Sequence, residues 1–299
     1  MIAADQPSIT SVDRRADWEL DFYSRPIMEP DGKKRWELLV SSTPPLSGEQ
    51  PFRYARRCPA GDVNSTWLAE ALRDALRQAE SEGWQPPRRL RSWRSAMRTM
   101  VQRAATALDL EMVPSRRTYA LIDWMAERDR EVYPQEEGYM AGPLAPPPVP
   151  ISTPAIPLPE AVRGDAWSWA TLPLATLAEA AEWPMGFNDL LPIPSGLDPS
   201  LPIPGLRLFS SSRALALAGW LGGLEPVRLR VHQKQLILDA GQDDSWLVTD
   251  LDEAGAHAAL EALDATRTAG AGLQFIAVQT TPDNPRFEGF WMLRDQPEP

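Results

Sequence analysis

The stretch WELDFYSRPIMEPDGKKRWELLVSS, residues 18–42, decides how the first half of this chain is read. Two aromatic and aliphatic runs, Trp18–Ile27 and Lys33–Ser42, flank Asp31-Gly32. Asp-Gly between two strand-like runs is a strong hairpin signal, because glycine reaches the positive φ that a tight turn needs. Residues 51–58, PFRYARRC, read as a third, shorter strand. A helix follows from capping candidates Asp62, Asn64 and Ser65, with Trp67, Leu68, Leu72 and Leu76 on one face and Gly83 as its stop. RRLRSWR reads as a strand, SAMRTMVQRAATALDL as a helix, and LEMVP as a last strand. SRRTYALIDWMAERDREVY then forms a helix with Ser115 as its expected N-cap.

Three antiparallel strands, helix, strand, helix, strand, helix is a succession similar to that of the ribonuclease-H-like fold. The second half also mixes strands and helices, so the expected class is α+β with mixed sheets. Residues 134–159 are rich in proline, which excludes a helix or an inner strand and marks an extended spacer. The expected division is an N-terminal domain over 14–133, this linker over 134–159, and a C-terminal domain over 160–296. A docking site for a proline-reading module is the alternative reading of the spacer.

Charge divides along the same line. Residues 160–299 hold 9 Lys/Arg against 19 Asp/Glu, whereas residues 51–117 hold 13 against 7. The whole chain is at −11, so its basic side chains form a local island whose potential, not the net charge, steers a ligand. Six arginines fall between Arg88 and Arg103. Arg91, Arg94 and Arg98 have no acid within four residues on either side and, with Gln102, recur at helical steps. Phe52, Tyr54, Trp84 and Trp93 interleave with these cations. Flat side chains stack on unpaired bases and guanidinium groups neutralise phosphates, although each aromatic taken alone favours the core. The expected RNA-binding surface comprises Arg53, Arg56, Arg57, Arg88, Arg89, Arg91, Trp93, Arg94, Arg98, Arg116 and Arg117. Arg116 and Arg117 are expected at a helix N-terminus, where the dipole favours anions.

Other chemistry is sparse. One cysteine, Cys58, and two histidines, His232 and His257, cannot make a zinc quartet, and no phosphate-binding glycine loop occurs. No cofactor and no metal are expected. A metal-dependent nuclease is the third-ranked reading: Asp21 and Glu70 sit where carboxylates are wanted, but the fourth strand brings arginines. The single thiol, the lack of a signal peptide and the lack of an apolar run of spanning length lead to an expected cytoplasmic location without membrane insertion.

The blocks WELDFYSRPI, DGKKRWELLV, PRRLRSWRSAMRTMVQRA and PSRRTYALIDWMAERDREVYP follow one another in order, as do LPEAVRGDAWSWATLPL, EWPMGFNDLLP, PIPGLRLFSSSRALALAGWLGGLEP and GLQFIAVQTTPDNPRFEGFWMLRD. Together they resemble the Tab/Atab family of RNA-binding proteins, over about Trp18 to Asp295 apart from the spacer. The resemblance implies a role in translation and biogenesis of photosystem I, with A/U-rich single-stranded leader RNA as partner. It supplies no catalytic residues. An assembly factor that docks a ribosomal component or a photosystem subunit, using EWPMGF and PIPGL of the acidic half, is the alternative.

Overall fold

The computed structural model describes residues 16–46, 48–141 and 154–296. The first half builds β1 (Trp18–Met28), β2 (Lys34–Ser42), β3 (Arg53–Cys58), α1 (Ser65–Ser81), β4 (Arg89–Ser92), α2 (Arg98–Thr106), β5 (Glu111–Pro114) and α3 (Tyr119–Glu131). The Asp31-Gly32 turn forms with Gly32 at φ +78°, and β1 pairs antiparallel with β2 from Trp18↔Ser42 to Ser24↔Trp36. Asn64 caps α1, its side chain accepting from the backbone N–H of Thr66 and Trp67. The strands lie in the order β3-β2-β1-β4-β5, with β4 parallel to β1 and β5 parallel to β4. One sheet face packs Trp18, Leu20, Phe22, Leu38 and Val40 against Leu68 and Leu72 of α1 and Val101 of α2. The other packs Leu39 against Leu121, Trp124 and Met125 of α3.

The second half begins with β6 (Ile156–Pro157), α4 (Glu160–Arg163), β7 (Ala166–Pro173), α5 (Leu174–Ala178), β8 (Phe187–Asp189), β9 (Pro202–Phe209) and α6 (Ala214–Gly223). β10 (Pro226–His232), β11 (Gln235–Ala240), β12 (Asp244–Asp250), α7 (Glu253–Ala269), β13 (Leu273–Gln279) and β14 (Gly289–Arg294) complete it. A five-stranded sheet runs β7-β9-β13-β14-β8, and a four-stranded one β10-β11-β12-β6. The class is therefore α+β with mixed sheets.

Three expectations change. PIPGL is not an exposed docking stretch: it lies in β9, where Ile203 and Leu206 are fully buried. Pro202 and Pro204 are tolerated because pairing of β9 with β13 starts only at Gly205, so no ladder bond to β13 needs their missing N–H. Both ends of the proline-rich stretch are held in structure. Tyr139 bridges to Ile27, and Met140 donates to the Pro26 carbonyl at 2.9 Å, while Ile156–Pro157 pairs with β12 as an edge strand. Its middle, 142–153, lies outside the described residues. Finally, α3 starts at Tyr119 with Thr118 before it, and Ser115 instead accepts from Arg117 N–H in a tight turn.

Candidate nucleic-acid interface

The arginine stripe is broken by secondary structure. Arg91 belongs to β4, Arg94 to the turn that follows, and the helix begins only at Arg98. Side chains that share a helical face on paper therefore point to different places.

Arg88, Arg89, Arg91 and Arg117 meet acids at the seam between the two halves. Arg91 is 1% exposed; it donates from Nε to Glu225 at 2.7 Å and from Nη2 to Asp189 at 2.9 Å, and Nη1 lies 3.0 Å from Asp17. Arg117, 2% exposed, donates to the Asp189 carboxylate at 2.8 Å and to the backbone carbonyls of Asp189, Pro226 and Met292. Arg89 reaches Asp17 at 2.9 Å and Glu225 at 3.1 Å, and Arg88 forks onto Asp17 with two bonds of 3.0 Å. Burial opposes the charge on Arg91, but Asp189, Glu225 and Asp17 outweigh it and raise its pKa above the ordinary arginine value. Burial likewise opposes the charge on Asp189, and Arg117 and Arg91 overcome it, holding that carboxyl well below the usual range. Buried and held by the protein's own acceptors, Arg91 and Arg117 are not presented to a phosphate in solution.

The acceptor at the start of α3 is also the protein's own. Leu121 N–H donates to the buried Glu19 carboxyl oxygen at 2.8 Å, filling the position expected to attract a ligand beside Arg116 and Arg117. Arg116 donates to the Asp244 carbonyl at 3.0 Å.

Arg94 lies between two rings, its guanidinium carbon 4.1 Å from the Tyr23 centroid and 4.0 Å from that of Trp93, and pairs with the buried Asp21 at 2.5 Å. Trp93 packs against the Leu39–Trp124 cluster. Asp21 also pairs with Arg25 at 2.8 Å, so the carboxylate weighed as a metal ligand is held by two cations. Among the described residues no group of three His, Cys, Asp or Glu side chains is placed to hold a metal ion.

On the edge strand β3, the cations split between faces. Arg56 pairs with Asp74 of α1 over the Trp67 ring, while Arg53 pairs with Glu127 of α3 over Trp124, and Arg57 with Glu136. Phe52 is buried and stacks on Trp18 at 5.3 Å, and Tyr54 and Trp84 pack on the same core.

The eleven residues are thus dispersed rather than gathered on one surface. Of them Arg98 is exposed at the start of α2 and carries no ion pair among the described residues. Arg103 near the end of α2 and Arg73 on the neighbouring α1 share that condition. Arg73 was not singled out by sequence; its signal is an arginine on the outer side of an amphipathic helix whose inner side is Leu68, Leu72 and Ala75.

The chain matches family models along both halves. Residues 17–128 match the N-terminal model, and residues 146–294 the C-terminal domain model, of the RNA-binding protein Tab2/Atab2. A protein named TAB2 homolog, chloroplastic, of Zea mays is 35% identical over 294 residues, covering 95% of this chain and 72% of that protein. Its namesake in Arabidopsis thaliana is 31% identical over 308 residues, covering 97% and 77%. No solved structure matches. With both halves matched in order and two relatives aligned over nearly all of its length, this chain belongs to the Tab2/Atab2 family of RNA-binding proteins.

Proposed function

We propose that this protein is a non-catalytic RNA-binding factor that supports translation and biogenesis of photosystem subunits by contacting A/U-rich single-stranded RNA. It works as two domains, over 14–133 and 160–296, with RNA on the first. The observation that carries this reading is the match of both halves to an RNA-binding family, joined to unpaired, exposed arginines on the α1–α2 layer. Arg98 and Arg103, with Arg73 beside them, supply the phosphate contacts; Arg91 and Arg117 hold the seam. The strand order of the first sheet supports the ribonuclease-H-like reading of that half. The two relatives are named as chloroplastic, which supports the chloroplast rather than a general cytoplasm as its place. No helix among the described residues is long and apolar enough to cross a membrane.

The test is binding of a labelled A/U-rich single strand across a salt series, wild type against Arg98→Ala/Arg103→Ala. Each lost phosphate contact on a single strand flattens the log–log salt slope by about 0.7, so the double variant is expected to lose about 1.4. An unchanged slope removes α2 from the interface. No binding by the wild type favours the alternative, an assembly factor that docks protein without RNA.

A further inference from the structure

α6 has no charged side chain from Ala214 to Leu224, and apolar residues surround it on every side. A helix of that kind is normally enclosed. Here Leu217, Ala218 and Leu221 are buried, but the outer side carries Leu215 and Trp220, which is 62% exposed. Phe187 of β8, 41% exposed, lies against the same helix: a Cβ placed on Gly219 would stand 3.1 Å from its ring. The absence of a side chain at Gly219 lets that ring close on the backbone. Beside it is a cavity of about 410 Å³ lined by Ala216, Gly219, Trp220, Gly223 and Leu224. Trp220 thus stands over a floor of small residues with Phe187 next to it on Gly219, and none of the five lining residues is charged.

Size and charge select the occupant. The exposed parts of Trp220, Phe187 and Leu215 come to roughly 300 Å², since a large aromatic offers about 150–250 Å² in all. A stable protein–protein interface needs about 800 Å² from each partner, so this patch does not hold a second folded copy. A short linear segment fits it. A groove with uncharged lining and an exposed indole, with a second exposed ring next to it, suits proline in the polyproline II conformation, whose ordering cost is already low. The indole N–H of Trp220 is the natural donor to an otherwise unbonded peptide carbonyl. We propose that the α6 groove docks an uncharged, proline-rich segment of a partner protein, independently of any RNA contact.

The probe is a synthetic peptide, PLAPPPVPISTP, which copies residues 143–154 of this chain. It is titrated calorimetrically into the full chain carrying Pro146→Ala, Pro147→Ala and Pro148→Ala, so that the chain's own stretch does not compete. Saturable binding is expected, weakened at least tenfold by Trp220→Ala or Phe187→Ala and lost when the peptide's prolines become alanines. Three results would overturn the proposal: no binding, equal binding to Trp220→Ala, or a doubling of mass in sedimentation that Trp220→Ala abolishes. The last would assign the groove to a second copy.

Discussion

Arg91 and Asp189 stand 98 residues apart in the chain and meet at 2.9 Å, in the middle of a seam that no short-range pattern announces. Removing one partner of such a buried network leaves the others charged and unpaired, which costs about 3–5 kcal/mol. Arg91→Ala is therefore expected to lower unfolding stability by that amount in urea titration, because Asp17, Asp189 and Glu225 all lose a donor. A loss below about 1 kcal/mol would mean the seam is wet or open in solution.

The same seam sets an acid limit. The pKa of Asp189 is depressed in the folded state, so its contribution is complete above the ordinary aspartate value and disappears as pH falls through the folded one. Asp189→Asn is expected to be less stable than wild type at pH 7, on the order of 2–3 kcal/mol. The two should converge as pH falls below about 4. Thermal melts from pH 7 to pH 2 check this; a gap that stays constant would exclude the carboxylate as the cause.

Glu19 acts in the opposite direction. Burial pushes its carboxyl up to about 8, while the Leu121 N–H and Arg91 pull it down less strongly. Stability tied to its proton is complete below the ordinary glutamate value and is lost as pH rises through about 8. Glu19→Gln should gain on wild type as pH rises from 5 to 9, with an upper limit of about 5 kcal/mol. Identical pH profiles would show that Glu19 is ionised throughout.

Arg94 and Arg98, four residues apart, are expected to separate stability from binding. Arg94→Ala removes the pair with buried Asp21 and two ring contacts, and should cost about 2 kcal/mol with little effect on RNA. Arg98→Ala should leave stability within about 0.5 kcal/mol and weaken RNA. Denaturation and RNA titration of both variants decide it; the reverse pattern would place RNA on the Tyr23–Trp93 side.

Cys58 is buried, and burial pushes its thiol up to about 11 despite nearby Arg56. Reaction with a disulfide reagent at pH 8 should be at least tenfold slower in the native chain than in denaturant. Equal rates would show that the native thiol is accessible and reactive.

Local signals carried the first sheet. The Asp31-Gly32 turn, the Asn64 cap and the Gly83 stop act over two to four residues, and each lies where sequence places it. The runs PVRLRVH and QLILDA that form β10 and β11, and the amphipathic pattern of α7, are legible in the same local way. β8 and β6 were not, because strands of three and two residues exist only through neighbours that pair with them. The partners of the candidate site residues were hidden for a related reason. Acids within four residues of Arg91 and Arg117 could be counted, but Glu225 and Asp189 reach them from 134 and 72 residues away. The strand expected over RRLRSWR forms as β4, so the helical steps at 91, 94 and 98 do not put these side chains on one face.

The seam also has a meaning in time. When Arg91 leaves the ribosome, Glu225 is still 134 residues behind it. At about 5–20 residues per second, that is a wait on the order of ten seconds. For that interval Arg91 has Asp17 but neither Asp189 nor Glu225, and Arg117 lacks Asp189, next to the ribosome and its RNA. Completion of the chain withdraws them, so the nascent protein presents a more basic face than the finished one ever does.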